Sequence, residues 1–268
     1  IGGGIAGMEA GRWLAQRGHQ VSLHEKSGQL GGQALLASLP PDKGEIQTLV
    51  DFLTRQVQKL GVDVHLNSEA TAGFVTEQKP EAVVIATGGK QIQPRRISMD
   101  PKMKSIPAWA VLREKGKNLG SRVVVLGGGF VAAEITEFMA VHQLAEDFTM
   151  VEMREAIAFD MEPNFRQMLM GKLQALGIKM VTHCCIQQVT AAEVIGQDCR
   201  DGQTKRFPAD TVVVALGTES VKFPVEAIQK AGVKVFTVGD AQEPHGIAEA
   251  VRSGYLAGTA VGQRSMIG

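Results

Sequence analysis

A glycine turn and a glutamate near the start of the chain have the spacing of a nucleotide-binding motif. Gly2, Gly4 and Gly7 follow the pattern GxGxxG, and Glu25 stands 23 residues after Gly2. The first glycine permits a tight turn, the second lets a pyrophosphate approach the backbone, and the third lets a helix pack closely on a strand. Free N–H groups at the helix start can bind the pyrophosphate, and the Glu25 carboxylate can accept both ribose hydroxyls. The motif predicts a dinucleotide site, with a glycine-rich packing turn as the alternative.

The same pattern returns in the middle of the chain. Gly127, Gly129 and Ala132 form the variant in which alanine takes the third position, and Glu152 follows 25 residues after Gly127. A carboxylate at the ribose repels a 2′-phosphate, which favours NADH over NADPH. Arg154 lies close enough in sequence to reach such a phosphate, so NADPH stays open. A chain with two such units is expected to bind two dinucleotides, or to descend from a protein that did.

Three further strand ends carry small residues. Ala86–Gly89 and Ala215–Gly217 each follow an apolar run, and Val238-Gly239-Asp240 follows another. An acidic side chain at Asp240 can bond ribityl hydroxyls, and the helix that follows can face a flavin pyrimidine with its N-terminus. Each turn is weak evidence alone, but their order and spacing together indicate a flavin.

The elements that must position these residues can be read from apolar spacing. Asp42 and Glu45 predict a capping box, with Asp42 as N-cap of a helix that Gly61 ends. Pro163 is expected in the first turn of another helix, which ends at Gly177. A last helix is predicted from about Gly246 to Ala260. Each glycine turn is followed by a predicted helix and then by a strand that ends at the glutamate. The other predicted strands are 62–66, 82–86, 122–126, 179–182, 186–189, 193–195, 211–215 and 233–238.

The chain begins inside this pattern. Ile1 is not a start methionine, and it stands where a dinucleotide-binding fold would have just completed its first strand. We therefore expect that strand to precede Ile1 in a longer polypeptide, and this chain to be a fragment of it.

The composition excludes several classes of protein. The 268 residues include 28 basic and 28 acidic side chains, so the net charge is zero and a nucleic-acid binder is not expected. No apolar run reaches the length of a membrane span, and no signal peptide is expected. Three cysteines cannot form a disulfide framework, which favours a reducing, cytoplasmic setting. A basic excess over 90–117 is interpreted as a solvated linker between domains, with a docking surface as the alternative.

Other chemistry-bearing residues show no site. The run His183-Cys184-Cys185 lacks metal-ligand geometry, because adjacent residues of a strand point to opposite faces. No catalytic side chain and no metal site are therefore predicted. His245 is noted because it would lie near the flavin.

These motifs together resemble those of a known protein family. The stretches GGGIAGMEA, HEKSGQLGGQ, IATGG, VVVLGGGFVAAE and TVGDAQEPHGIAEAVRSGYLAG look like the C-terminal FAD/NAD(P) module of iron–sulfur flavoproteins. These include 2,4-dienoyl-CoA reductase, 2-enoate reductase and trimethylamine dehydrogenase, which belong to the NADH:flavin oxidoreductase family. The resemblance covers essentially the whole chain.

The resemblance implies a fold and a set of site residues. It implies two Rossmann-like doubly wound α/β domains: an FAD domain of residues 1–92 and 218–268, and an NAD(P) domain of residues 93–217 inserted in it. FAD would contact Gly2, Gly4, Ala6, Gly7, Glu25, Lys26, Gly32, Gln33, Ala86, Gly88, Gly239 and Asp240, with backbone groups of Gly246 and Ile247 at the isoalloxazine. The nicotinamide nucleotide would contact Gly127, Gly129, Phe130, Val131, Glu134, Glu152 and Gly217. Phe130 would gate the nicotinamide pocket, and Glu134 would approach the carboxamide.

The resemblance also implies an activity and a partner. Hydride would pass from NADH or NADPH to FAD, and electrons would move on to an FMN and 4Fe-4S unit upstream that reduces an enoate-type substrate. The alternatives are a non-catalytic scaffold that holds ADP, as in trimethylamine dehydrogenase, and a glutamate-synthase-like electron-input subunit. Disulfide reduction is not expected, because no cysteine stands just after Gly31-Gly32 and no CxxC occurs. Oligomeric state is not indicated.

Overall fold

The computed structural model describes residues 1–262. The chain forms two compact units. Unit 1 comprises Ile1–Ser38, Lys43–Lys90 and residues 218–262, and unit 2 comprises Leu39–Asp42 and Gln91–Gly217. The sequence predicted one domain of residues 1–92 and 218–268 and a second of residues 93–217. The observed units differ from this in two places: residues 91 and 92 belong to unit 2, and so does the short segment 39–42. Residues 263–268 of the predicted FAD domain lie outside the described residues.

Strands and helices alternate along most of the chain. The strands are β1 (Ser22–His24), β2 (Asp63–His65), β3 (Ala82–Ile85), β4 (Gly89–Gln91), β5 (Ser98–Met99), β6 (Lys104–Pro107), β7 (Arg122–Leu126), β8 (Asp147–Val151), β9 (Lys179–Val181), β10 (Cys184–Val189), β11 (Glu193–Asp198), β12 (Thr204–Pro208), β13 (Thr211–Val214), β14 (Thr218–Ser220) and β15 (Lys234–Thr237). The helices are α1 (Ile5–Gln16), α2 (Ala34–Ala37), α3 (Gly44–Lys59), α4 (Ala72–Gln78), α5 (Ala108–Arg113), α6 (Phe130–Val141), α7 (Pro163–Ala175), α8 (Val225–Lys230) and α9 (Ile247–Ala260).

Unit 2 is built on a five-stranded sheet in the order β6-β13-β7-β8-β9. All of its pairs are parallel. The central strands β7 and β13 are nearly continuous runs of buried valine, which suits strands covered on both faces. A second sheet in the order β12-β11-β10-β5 lies beside it. The strand predicted over 122–126 is confirmed, and its carboxyl end carries the second glycine turn.

Unit 1 contains three two-stranded pairs, β1-β2, β15-β3 and β14-β4. The first two pairs are parallel and are joined through the start of the chain. The amino group of Ile1 donates to the Val84 carbonyl at 2.7 Å, and the Ala86 N–H donates to the Ile1 carbonyl at 2.8 Å. On the other side, the Gly2 N–H donates to the His24 carbonyl at 2.8 Å. These bonds place the first glycine turn between β1 and β3.

Helices α1 and α9 pack closely because two glycines face α1. A Cβ added at Gly254 would lie 2.5 Å from the Ala6 carbonyl oxygen, and one at Gly258 would lie 2.7 Å from the Trp13 Cβ. Trp13 also meets Tyr255 edge-on, with ring centroids 4.9 Å apart. The close approach fixes the helix that follows the first turn against the last helix of the chain.

The linker interpretation of residues 90–117 is wrong. The segment contains β5, β6 and α5, and β6 is an edge strand of the five-stranded sheet. Ala108, Val111 and Leu112 of α5 are buried. The basic side chains of this segment are exposed, so their excess describes the surface of a folded segment.

The predicted cap of α3 is also wrong. The helix begins at Gly44, with Lys43 at the N-cap position. Asp42 has a positive φ of 61°, and its carboxylate accepts a bond from Lys172 Nζ at 2.7 Å. The spacing of Asp42 and Glu45 matched a capping box, but the ion pair within unit 2 holds Asp42 instead.

A single disulfide was not predicted, since three cysteines were expected only to be too few for a disulfide framework. Cys185 and Cys199 form one across the β10–β11 hairpin, and Cys184 is a buried free thiol. The antiparallel register pairs Cys185 with Gln197, which brings residue 199 within reach although it is 14 positions away. The pair is a local hairpin link rather than a framework.

Candidate functional site

The first turn requires glycine at two positions. Gly2 has φ +100°, and a Cβ there would lie 2.2 Å from the Ala86 carbonyl oxygen. A Cβ at Gly7 would lie 1.9 Å from the carbonyl oxygen of Gly2. Gly4 is the N-cap residue of α1, and a Cβ on it would meet nothing within 4 Å. The turn is therefore tightly packed at Gly2 and Gly7, whereas the side-chain direction of Gly4 at the helix N-terminus is unobstructed. A helix N-terminus is where an anion binds best.

The Glu25 carboxylate is fixed beside this turn. Its Oε2 accepts the Gly3 N–H at 2.7 Å, and its Oε1 accepts the Ser27 N–H at 2.8 Å. The side chain is buried. Gly3 was not among the predicted site residues, although a Cβ there would come within 3.1 Å of Glu25 Cβ. The run of three glycines was the available signal for it.

Unit 2 repeats the arrangement. Gly127 has φ +103°, and its added Cβ would lie 2.4 Å from the Ala215 carbonyl oxygen. The Gly128 N–H donates to Glu152 Oε2 at 2.6 Å, and the Arg154 N–H donates to Oε1 at 2.8 Å. Gly128, like Gly3, stands at a position that the GxGxxG motif leaves free, and its N–H binds the glutamate. Each unit thus places a buried glutamate on the middle glycine of its turn.

The second glycine pair closes on the first turn. The Gly31 N–H donates to the Gly3 carbonyl at 2.8 Å. Gly32 has φ +55°, and its added Cβ would lie 3.1 Å from the Gly4 Cα. Gln33 Nε2 donates to the Gly89 carbonyl at 3.1 Å. The predicted residues of this loop therefore lie beside both the first turn and the start of β4.

Asp240 lies in the same unit at the end of the last strand. Its carboxylate accepts the His245 N–H at 3.1 Å and interacts with the Gln33 side chain, and burial raises its pKa. An open cavity of about 410 Å³ adjoins it, lined by residues that include Gly239, Asp240, His245 and Arg252. Gly239 has φ +57°, and its added Cβ would meet Ala6 at 2.9 Å. The strand end and α1 are thus in contact.

The remaining predicted residues lie in or near these two groups. In unit 1, Ala6 and Ala86 are buried around the turn, Lys26 is exposed after Glu25, and Gly88 has φ +74° beside Gln33. Gly246 is the N-cap residue of α9, and Ile247 is its first residue. In unit 2, Phe130 and Val131 open α6 and Glu134 is buried in its second turn. Gly217 accepts the Ile92 N–H at 3.0 Å.

One residue at the second turn was not predicted. Asp160 Oδ1 accepts the N–H of Phe130, the first residue of α6, at 2.8 Å. It is 30 residues from Phe130 in sequence, so no local motif could indicate it.

The comparisons with known proteins agree with this geometry. A family model of the pyridine nucleotide-disulphide oxidoreductases matches residues 1–242. The chain belongs to this family. The predicted resemblance to FAD/NAD(P)-binding modules and the predicted α/β fold are thereby confirmed.

Individual relatives of this pyridine nucleotide-disulphide oxidoreductase are longer proteins. It is 36% identical over 258 residues to the bilirubin reductase of Mediterraneibacter gnavus (strain CC55_001C), a match that covers 96% of this chain and 39% of that protein. It is 34% identical over 258 residues to the NADH oxidase of Thermoanaerobacter brockii, covering 95% and 39%. The solved structure of a 2-naphthoyl-CoA reductase with 2-naphthoyl-CoA matches with a TM-score of 0.89 and 30% identity, covering 97% and 39%. The chain spans 39% of the length of each.

As a member of this family, the chain is an oxidoreductase module that binds FAD and NAD(P)H. Its Gly31-Gly32 loop continues into Gln33, Ala34 and Leu35 without a cysteine. Among residues 1–262, no helix has the length and apolar character needed to cross a membrane.

Proposed function

We propose that the chain is the electron-input module of a larger flavoprotein oxidoreductase, taking reducing equivalents from NADH. The main observation that supports this proposal is the duplicated turn. In each unit, a buried glutamate accepts the N–H of the middle glycine. Two such turns in two units support two dinucleotides in one chain. We assign FAD to unit 1 and the nicotinamide nucleotide to unit 2.

The residues of unit 1 fit FAD. The space above Gly4 is open, and Gly32 and Gln33 lie alongside it. Glu25 would bind the ribose, and Asp240, at the end of the last strand, would bond the ribityl chain. FAD, when bound, supplies the capacity to accept a hydride, and the protein supplies position and electrostatics. No side chain of the chain is assigned a nucleophilic or basic role.

The residues of unit 2 fit a nicotinamide nucleotide and favour NADH. Glu152 would bind the adenosine ribose, and its charge disfavours a 2′-phosphate there. Arg154 is held with its guanidinium 3.8 Å over the Phe159 ring, so its charge already has a partner. Phe130 and Glu134, on consecutive turns of α6, would line the nicotinamide pocket.

The partner and substrate are inferred from the longer relatives. The part of their length that this chain does not span can hold an FMN and 4Fe-4S unit, which would receive the electrons and reduce an enoate-type substrate. The name of the 2-naphthoyl-CoA reductase supports a conjugated acyl substrate. We propose a cytoplasmic setting, where NADH is supplied, although the Cys185–Cys199 pair weighs against it because stable disulfides are rare there.

The test uses the intact purified protein. Its flavin content is measured from the visible absorbance, and NADH is added without oxygen and then with ferricyanide as acceptor. We expect a yellow protein whose colour NADH bleaches, with faster turnover from NADH than from NADPH. A colourless protein that retains ADP and oxidises no NADH would contradict the proposal and support the scaffold alternative.

A further inference from the structure

The N-terminus of α6 is covered by a carboxylate of the protein itself. Asp160 Oδ1 accepts the Phe130 N–H at 2.8 Å. A Cβ added at Gly129 would lie 3.4 Å from Asp160 Oδ2, so the second oxygen lies over the N-cap residue. A helix N-terminus attracts anions through its free N–H groups and dipole. A carboxylate there satisfies the same groups that a pyrophosphate would bind.

The segment that carries Asp160 is anchored close to the turn. Ile157 and Ala158 are fully buried. The Ala158 N–H donates to the Gly128 carbonyl at 2.6 Å, and Arg166 Nε donates to the Ile157 carbonyl at 2.7 Å. Asp160 itself, two residues beyond this anchor, is exposed. The backbone just before Asp160 is thus fixed by buried residues, whereas the exposed carboxylate can rotate into solvent without disturbing the core.

We infer that Asp160 competes with the dinucleotide pyrophosphate for the N-terminus of α6 and so sets the affinity of the second site. This inference rests on the proposed assignment of unit 2 to a nicotinamide nucleotide. Without a nucleotide, Asp160 caps the helix. Binding requires the carboxylate to leave, which lowers affinity by the fraction of protein in the uncapped state. Such a cap suits a site whose ligand must be released after each turnover.

The experiment compares Asp160→Ala with Glu155→Ala in the intact protein. Glu155 is an exposed acid of the same segment, so its variant removes an equal charge without removing the cap. NADH affinity is measured by fluorescence titration. We expect Asp160→Ala to bind NADH about two- to thirtyfold more tightly, which is the equilibrium equivalent of one helix cap. Glu155→Ala should change affinity much less.

A second readout does not depend on NADH. Inorganic pyrophosphate is added in a thermal unfolding assay, and it should stabilise Asp160→Ala more than the parent. Asp160→Asn, which keeps the size and a hydrogen-bond acceptor but loses the charge, should fall between the two and serves if the alanine variant does not fold. Equal pyrophosphate stabilisation of all variants, or weaker NADH binding by Asp160→Ala, would overturn the inference.

The two proposals fail in different ways. If the parent binds pyrophosphate less well than Asp160→Ala but neither binds NADH, the competition stands and the NADH assignment is wrong. If NADH binds equally to the parent and to both Asp160 variants, the assignment stands and the competition is wrong.

Discussion

The two glycine turns share one design but differ in what lies over them. Gly2 and Gly127 have almost the same φ, +100° and +103°, and both press against a strand-end carbonyl. Above the turn, a Cβ at Gly4 would meet nothing within 4 Å, whereas one at Gly129 would meet Asp160. The backbone conformation of the turn is therefore common to both sites, whereas the Asp160 carboxylate at the helix N-terminus belongs to the second site.

The third motif position shows the second difference. Gly7 lies so close to the first turn that its added Cβ would be 1.9 Å from the Gly2 carbonyl oxygen. Ala132 occupies the same position in unit 2 with its Cβ present and buried. The first helix therefore sits tighter on its turn than the second. A tight, open turn suits a cofactor that stays bound, and a looser, self-capped turn suits a substrate that exchanges.

The largest effect is expected from Gly2→Ala. The added Cβ would collide with the Ala86 carbonyl, and φ +100° is strained for alanine. We expect a loss of roughly 2–6 kcal/mol in the free energy of unfolding and a loss of FAD. Denaturant unfolding and flavin content measure both. Gly4→Ala is the matched control, because its φ is ordinary and its Cβ is unobstructed; it should fold normally. Equal stability of the two variants would break the description of the turn.

The third motif position, Gly7 in α1 and Ala132 in α6, offers a test of how closely each helix packs on its turn. Gly7→Ala should destabilise the protein by about 1–3 kcal/mol through overpacking against Gly2. Ala132→Gly should cost only about 1 kcal/mol, the usual helix penalty of glycine. Thermal and denaturant unfolding of each single variant supply the comparison. If Ala132→Gly lost more stability than Gly7→Ala, the description of α1 as the more closely packed helix would be wrong.

Both turns could be predicted from the sequence because their residues follow a fixed spacing along the chain. GxGxxG and a glutamate some two dozen residues later identified both units, but the pattern treats its middle position as free. Gly3 and Gly128 were therefore missed, although they donate to the glutamates. Asp160 was missed for another reason: its contact depends on how a later segment folds back over α6.

The errors of the sequence analysis have a common physical cause. The 90–117 segment was interpreted from its charge, but the pairing of β6 with β13 depends on residues a hundred positions later. Strand β12 was not predicted, because its residues alternate between exposed and half-buried and none is fully buried. The Cys185–Cys199 link follows from hairpin register, which local spacing did not reveal. Long-range pairing decided each of these.

The two glutamates proposed to bind ribose should give the next effect. Glu152→Ala leaves the N–H groups of Gly128 and Arg154 without their acceptor, which should cost about 1–3 kcal/mol of stability. It also removes the charge that would repel a 2′-phosphate, so the rate with NADPH should rise relative to NADH. Anaerobic flavin reduction by each nucleotide measures this ratio. Glu25→Ala is the counterpart in unit 1 and should lower FAD retention without changing nucleotide preference. A parent that already prefers NADPH would contradict the role given to Glu152.

The smallest effect concerns the aspartate at the first site. Burial raises the pKa of Asp240, so the folded state binds this proton more readily than the unfolded chain does. The resulting stabilisation is fully present below the ordinary pKa of an aspartate and is lost as pH rises through the raised value. Asp240→Asn should therefore flatten this part of the acid stability profile of the FAD-free protein while weakening FAD binding at neutral pH. Glu243→Gln, an exposed neighbour, controls for charge. Denaturant unfolding at a series of acidic pH values provides the measurement. An unchanged profile would show that Asp240 is solvated, like the exposed Asp160 of the second site.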